Sequence, residues 1–268
     1  MNSSEDWDII WRWQWFRRAL WQPHFKDPTH PEGRPARTAP IWDWVLKSRG
    51  AKRVLDCNAG LGLRTILLHE AGFDVVGTER SAVAVEHARE LADTLGLPIS
   101  YHHCLWADLG EKFQAEFDAV INDALSWTQT RADLRFAVHN FASVLKPGGV
   151  LIFTGADEWS HAEDPATVIE QAWSAAPRFQ LRSDYTRDDT HLTLVVVRDK
   201  GETGIVENYL FIVRDEQGAR LETASICNSL QWTWLDYVAV FREAGFSKLE
   251  SVKVPVGRRE HLLNVATR

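Results

Sequence analysis

Sulfur is scarce in this chain of 268 residues. Its three cysteines, Cys57, Cys104 and Cys227, lie far apart, with no CxxC pair and no Cys/His spacing of the metal-ligand kind. A disulfide framework and a zinc site are therefore excluded, no metal is expected, and a reduced compartment fits best. Positive charge is not in excess either: 30 Lys and Arg stand against 37 Asp and Glu, a formal charge of -7. A phosphate backbone would be repelled on average, which argues against a nucleic-acid partner. No apolar run approaches the roughly 18 residues of a membrane span. The opening Asn2-Ser3-Ser4-Glu5-Asp6 is acidic where a secretory leader would be basic. The expectation is a cytoplasmic protein without a membrane partner. The remaining composition, 45% apolar, 25% charged and 11% aromatic, is that of a globular chain able to bury a sizeable core.

Tryptophan is abundant, and seven of the thirteen fall before residue 50. Ser3 can cap a helix running to Trp21, Glu5, Asp6 and Asp8 suit its positive end, and Trp7, Trp11 and Trp15 repeat at i+4. So much aromatic surface predicts packing over a site or against another subunit. Gln22 to Pro40 carries five prolines and reads as a loop, closing an N-terminal segment of residues 1–40 that serves as lid or oligomer contact.

Residues 41–268 read as one domain. Strands at Arg53–Asp56, Phe73–Gly77, Ile99–His103, Phe117–Ile121 and Val150–Thr154 alternate with helices at Ile41–Arg49, Leu63–Ala71, Ser81–Leu95 and Leu134–Leu145. That alternation predicts an α/β fold, a doubly wound and mostly parallel seven-stranded Rossmann-like sheet. The rhythm then breaks into Phe179–Tyr185, His191–Val197, Ile205–Val213 and Ala219–Ile226, an antiparallel insertion at about residues 178–230. A helix at Trp234–Ala244 and strands at Ser247–Val254 and His261–Ala266 complete the sheet.

The run Val54-Leu55-Asp56-Cys57-Asn58-Ala59-Gly60-Leu61-Gly62 is a strand entering a glycine turn and then a helix. In a parallel sheet, this turn is where a nucleoside cofactor sits. A dinucleotide fingerprint would need a glycine where Thr65 stands, which weakens a nicotinamide reading. Glu79 ends the second strand, where a carboxylate can accept from ribose hydroxyls.

With Leu145-Lys146-Pro147-Gly148-Gly149, these features resemble the class I S-adenosylmethionine-dependent methyltransferases. Arg53-Val54-Leu55-Asp56, Glu70-Ala71-Gly72-Phe73, Phe117-Asp118-Ala119-Val120-Ile121 and Ser183-Asp184-Tyr185-Thr186-Arg187-Asp188 are similar to the glycine N-methyltransferase group, which also carries a late antiparallel insertion. The resemblance implies S-adenosylmethionine as cofactor, with Asp56, Gly60 and Gly62 along its methionine part and Glu79 on its ribose. Leu105 and Trp106 would flank the adenine, with Asp108 and Asn122 nearby, Arg37 would pair with its carboxylate, and Trp21 would lie by the methionine chain. Asn58 replaces a family glycine, a change that Asn tolerates through its ease in left-handed backbone.

Glycine-methylating members hold the amino acid's carboxylate with an Asn and an Arg whose positions here are Leu125 and Ala156. Loss of that clamp implies an acceptor other than glycine. Asp157, Glu158 and Trp159, with Asp123 and Trp127 on the neighbouring loop, suit a substrate bearing positive charge, or an aromatic one stacked on the indoles. Tyr185, Asp123 and Asp157 are the candidate proton acceptors. The leading expectation is methyl transfer to a small-molecule nitrogen. Transfer to oxygen, sulfur or carbon, a nicotinamide oxidoreductase and a non-catalytic binding protein are the alternatives.

Overall fold

The computed structural model describes residues 3–159, 164–257 and 260–268. Five strands, β1 (Arg53–Asp56), β2 (Asp74–Glu79), β3 (Ser100–His103), β4 (Phe117–Asn122) and β5 (Leu145–Phe153), form the parallel part of a seven-stranded sheet. The last two strands, β10 (Lys248–Val254) and β11 (His261–Thr267), extend it in the order β10-β11-β5-β4-β1-β2-β3, with β11 antiparallel to both its neighbours. The chain runs outward from β1 to β3 and returns to β4, so the order reverses between β1 and β4. The crevice at the carboxyl ends of those two strands is where such sheets take ligands.

The helices follow from period and caps. Helix α4 (Leu63–Glu70) buries Ile66 and Leu68, and α5 (Ala82–Thr94) is capped by Ser81, whose Oγ accepts from Ala84 N at 3.1 Å. After the single turn α6 (Leu109–Lys112), helix α7 (Arg131–Val144) lays Leu134, Val138 and Phe141 in the core with Phe153, Tyr237 and Phe241, the last two from α9 (Trp234–Glu243). Helix α8 (Pro165–Ala175), which the sequence reading lacked, precedes the insertion.

Two differences from the sequence reading lie in the first 50 residues. Helix α3 begins at Arg34 and runs to Ser48, through Pro35 and Pro40. Pro35 is tolerated because first-turn amides have no partner inside the helix. The tryptophan helix is two pieces, α1 (Ser4–Phe16) and α2 (Arg18–Trp21).

The insertion is a four-stranded antiparallel sheet in the order β6 (Phe179–Arg187), β7 (Thr190–Lys200), β8 (Gly204–Asp215) and β9 (Gly218–Ser229). One face of it packs against α1: Trp13 joins Leu192, Leu194, Phe211, Val213 and Ala224 in one buried cluster. The opposite side of α1 turns Trp15 into a cluster holding Trp21, Ala59, Leu61 and Ile66 beside the glycine turn. Each buried indole withdraws about 150–250 Å² from water, on the order of 4 kcal/mol by area before ordering costs. Helix α1 is thus a layer between the insertion and the main sheet.

Candidate functional site

The glycine turn owes its shape to two residues. Gly60 and Gly62 have φ of 55° and 78°, the left-handed region that disfavours side chains. A methyl group on Gly62 would come within 2.5 Å of the Tyr101 hydroxyl. One on Gly60 would come within 2.8 Å of the Trp11 ring, so the indole from α1 lies directly on the turn. The Trp11 Nε1 is buried and has no hydrogen-bond partner among the described residues. Asn58 does not use the left-handed backbone expected of it; its side chain works instead as a bridge, accepting from Arg64 Nη2 at 3.1 Å and donating to Asp123.

Glu79 sits at the end of β2 and is 6% exposed. Its Oε2 accepts from Gly60 N at 3.0 Å, and its Oε1 from Arg80 N at 2.8 Å and Ser81 N at 3.2 Å. A carboxylate has about four lone-pair sites. Three are used, and the one left is on Oε2, facing the turn. Burial raises the Glu79 pKa against the pull of those three amides.

The sequence reading missed Arg64. It lies in the first turn of α4, the end of a helix dipole unfavourable to a cation, and that misfit was the available signal for an acidic partner. Its Nε and Nη2 donate to Asp56 at 3.1 and 2.6 Å, and its Nη1 meets Asp123 at 3.0 Å. The guanidinium stacks over Trp42 at 5.0 Å. Burial opposes its charge, but Asp123 and Asp56 outweigh that and raise its pKa. Asp56 is fully buried and also accepts from Thr65 Oγ1, so its carboxylate braces the turn rather than facing the crevice. Burial works to raise the pKa of Asp123, yet Arg64 and Asn58 prevail and hold it below the usual carboxylate value.

Other sequence-derived candidates spread more widely. Trp106 donates its Nε1 to Cys57 O at 2.6 Å and meets Phe141 edge-on, which fixes its ring at the end of β1. Leu105 is half-buried just before it, and Asp108 faces solvent. Asn122 is fully buried, donating to Cys57 Sγ and accepting from Ala124 N, a clip between β1 and β4. Trp21 is buried with its Nε1 on Gln14 O. Arg37 lies exposed on α3 and gives its donors to the carbonyls of Pro28, His30 and Pro31, so a carboxylate would have to displace three loop contacts.

On the acceptor side, Leu125 is fully buried in the core, which removes it from the crevice surface. Trp127 stacks against Trp7 of α1, centroids 5.8 Å apart and planes 5° apart, and Trp7 stacks on Trp11 in turn. Three indoles therefore run from the glycine turn to the loop after β4. Asp157, Glu158 and Trp159 do not join them. Asp157 Oδ1 accepts from Trp159 N, Glu158 N donates to Ser251 Oγ on β10, and Lys253 lies over the Trp159 ring. Strand β10 is three strand spacings from β4, roughly 14 Å. Tyr185 meets Phe16 at the other end of α1, nine residues and roughly 14 Å along the helix from Trp7. Trp159 and Tyr185 thus lie apart from the indole row, while Asp123 and Trp127 share the loop after β4.

Two further contacts hold α1 in place: Ser81 Oγ donates to Asp8 Oδ1 at 2.5 Å, and Ser225 N on β9 donates to Asp6 Oδ1 at 2.9 Å. No group of three or more His, Cys, Asp or Glu among the described residues could hold a metal ion, and no helix among them is long and apolar enough to cross a membrane.

Residues 54–149 match a family model described as a methyltransferase domain. The chain is 39% identical to the glycine/sarcosine N-methyltransferase of Aphanothece halophytica over 110 residues, 40% of this chain and 42% of that protein. It is 32% identical to the tRNA 5-carboxymethoxyuridine methyltransferase of Escherichia coli strain K12 over 171 residues, 59% of this chain and 64% of that protein. Among solved structures, the sugar N-methyltransferase KedS8 from Streptoalloteichus sp. ATCC 53650 shares the fold with a TM-score of 0.66 at 20% identity, covering 96% of this chain and 92% of that one.

Proposed function

We propose that the chain, whose residues 54–149 match a methyltransferase domain, uses S-adenosylmethionine to methylate a nitrogen of a small molecule other than glycine. The cofactor, when bound, supplies an electrophilic methyl group on sulfur. Two groups beside the glycine turn fit it: Glu79 keeps one lone pair for a ribose hydroxyl, and the buried Trp11 Nε1 lacks an acceptor that a cofactor oxygen would provide.

The state of Asp123 carries the choice of nitrogen. The carboxylates at the ends of β1, β2 and β4 are Asp56, Glu79 and Asp123, and each is committed to donors of the protein itself. A hydroxyl acceptor needs a base to take its proton, and Asp123, ion-paired and lowered in pKa, is a poor one. A neutral amine attacks through its own lone pair and needs only alignment and exclusion of water. The indole row of Trp11, Trp7 and Trp127 forms the dry wall for that alignment. Leu125 and Ala156 offer no charge to a carboxylate, which argues against glycine. The net charge of -7 supports a small acceptor over an RNA.

The test is release of S-adenosylhomocysteine with glycine, a diamine, an aromatic amine, an amino sugar and the matching alcohols, each followed from about pH 6 to 9. The amino sugar is included because KedS8 shares the fold. Turnover of an amine, with an inflection that tracks the acceptor's own pKa, is expected. Preference for glycine or for an alcohol would refute the proposal.

A further inference from the structure

Tyr237 on α9 is 0% exposed, and its hydroxyl has no hydrogen-bond partner among the described residues. A buried hydroxyl left unpaired is costly, and a phenylalanine would fill the same space without that cost. The ring packs edge-on against Phe153 of β5 and against Phe241, with centroids 5.2 and 6.3 Å away. That packing brings the hydroxyl to the carboxyl end of β5, where a methyl group on Gly155 would lie 2.6 Å from it. Gly155 is itself exposed, so a residue without a side chain covers the hydroxyl. Thr154, the residue before it, donates its Oγ1 to Asp123 O at 3.1 Å, which sets this end of β5 beside the loop after β4.

We propose that the Tyr237 hydroxyl is a specificity-determining group of the acceptor site, bonding an uncharged hydroxyl that the acceptor carries elsewhere than at its methylated nitrogen. The proposal rests on the small-molecule reading above, and it names the acceptor class as an amino alcohol. Leu125 and Ala156, which stand where a carboxylate clamp would be, pack in or against the same cluster as Tyr237, so the phenol is a polar group set into an apolar corner. An ionised group brought among Leu125, Ala156, Phe153 and Phe241 would lose its water and meet no counter-charge from them. A hydroxyl, by contrast, can both donate to a phenol and accept from it. Burial, with Asp236 beside it, raises the Tyr237 pKa, so the phenol stays protonated and binds rather than acting as a base. Gly155 has no side chain to withdraw, and a small shift of its backbone opens the hydroxyl to the crevice. Cyclic amino alcohols belong to the class as well, because the Trp7 and Trp127 indoles offer them a flat apolar wall.

The test is calorimetric binding of matched pairs, aminopropanol with butylamine and aminocyclohexanol with cyclohexylamine, to the full chain saturated with S-adenosylhomocysteine. The amino alcohol of each pair should bind at least about tenfold more tightly, and Tyr237→Phe should bring each pair within about twofold. Diaminopropane, which carries a second charge in place of the hydroxyl, should bind no better than butylamine. In Tyr237→Phe, the affinity for S-adenosylhomocysteine should stay as in wild type and the urea midpoint should not fall, since the lost hydroxyl had no partner. Gly155→Ala sets a methyl group against the hydroxyl from another element, at a position outside the left-handed region, and should erase the same preference. Equal binding within each pair by wild type, or a preference that survives in folded Tyr237→Phe, would overturn the inference. So would a fall in stability without a change in preference, the mark of a hydroxyl that serves the fold alone. Because binding is read, the outcome does not depend on which atom is methylated: the nitrogen reading fails separately, by methyl transfer to the oxygen of these compounds.

Discussion

Replacing Trp11 by phenylalanine separates two quantities that usually fall together. The indole rests on Gly60 with its Nε1 buried and unpartnered. In the free protein, that donor costs about 1–3 kcal/mol of uncompensated desolvation, which Trp11→Phe removes. The smaller ring forfeits roughly 40 Å² of apolar contact, about 1 kcal/mol. The two nearly cancel, so the unliganded variant should unfold in urea within about 1 kcal/mol of wild type, or slightly above it. Cofactor binding should respond differently. A hydrogen bond from the indole to a cofactor hydroxyl is worth about 0.5–1.5 kcal/mol, and one to its carboxylate about 1.5–3 kcal/mol. The dissociation constant of S-adenosylhomocysteine, read by calorimetry, should rise from about threefold in the first case to about a hundredfold in the second. An unchanged affinity would refute the role given to Nε1. A loss of affinity matched by an equal loss of stability would refute the reasoning as well, since it would report general damage.

Arg64→Met should destabilise the protein by about 3–5 kcal/mol in urea unfolding, because it leaves the fully buried Asp56 without its cation, whereas Asp123→Asn, at a side chain 44% exposed, should cost under about 1 kcal/mol. Because the folded pKa of Asp123 is lowered, its stabilising contribution is present above its unfolded value near about 4 and is lost only as pH falls through the folded pKa. Asp123 should thus add no inflection to rate profiles at neutral pH, and one that vanishes in Asp123→Asn would contradict this. Glu79→Ala should weaken S-adenosylhomocysteine binding about ten- to a hundredfold by removing a charged acceptor, with equal affinity in the folded variant counting against its place on the ribose.

The parallel sheet was legible because β1, β2, β4 and β5 carry short apolar runs alternating with helices, and the crevice follows from where the strand order reverses. Positions at strand ends, such as Asp56, Glu79 and Asn122, were therefore placed correctly along the fold. Their roles were harder to read, since Asp56 turns inward to Arg64 on the next helix and Asn122 to Cys57, 65 residues away in sequence. Loop residues escaped for a different reason. The direction in which a loop leaves its strand depends on what it meets, and Ser251 draws Glu158 toward β10; Tyr185, on strand β6, is placed by the insertion sheet against Phe16. Pro35 and Pro40 marked a loop by composition alone, and the first-turn position of Pro35 made it a helix start instead.

Helix α1 belongs to two bodies at once. Trp13 is fastened to the insertion through Glu222 and Phe211, while Trp11 and Asp8 are fastened to the main sheet's Gly60 and Ser81. An engineer who transplants the insertion from a relative to change what the crevice accepts would leave the host helix with a foreign ceiling and an orphaned Trp13. The heritable cassette is the helix together with its sheet, two pieces of sequence separated by more than a hundred residues that must be exchanged as a pair.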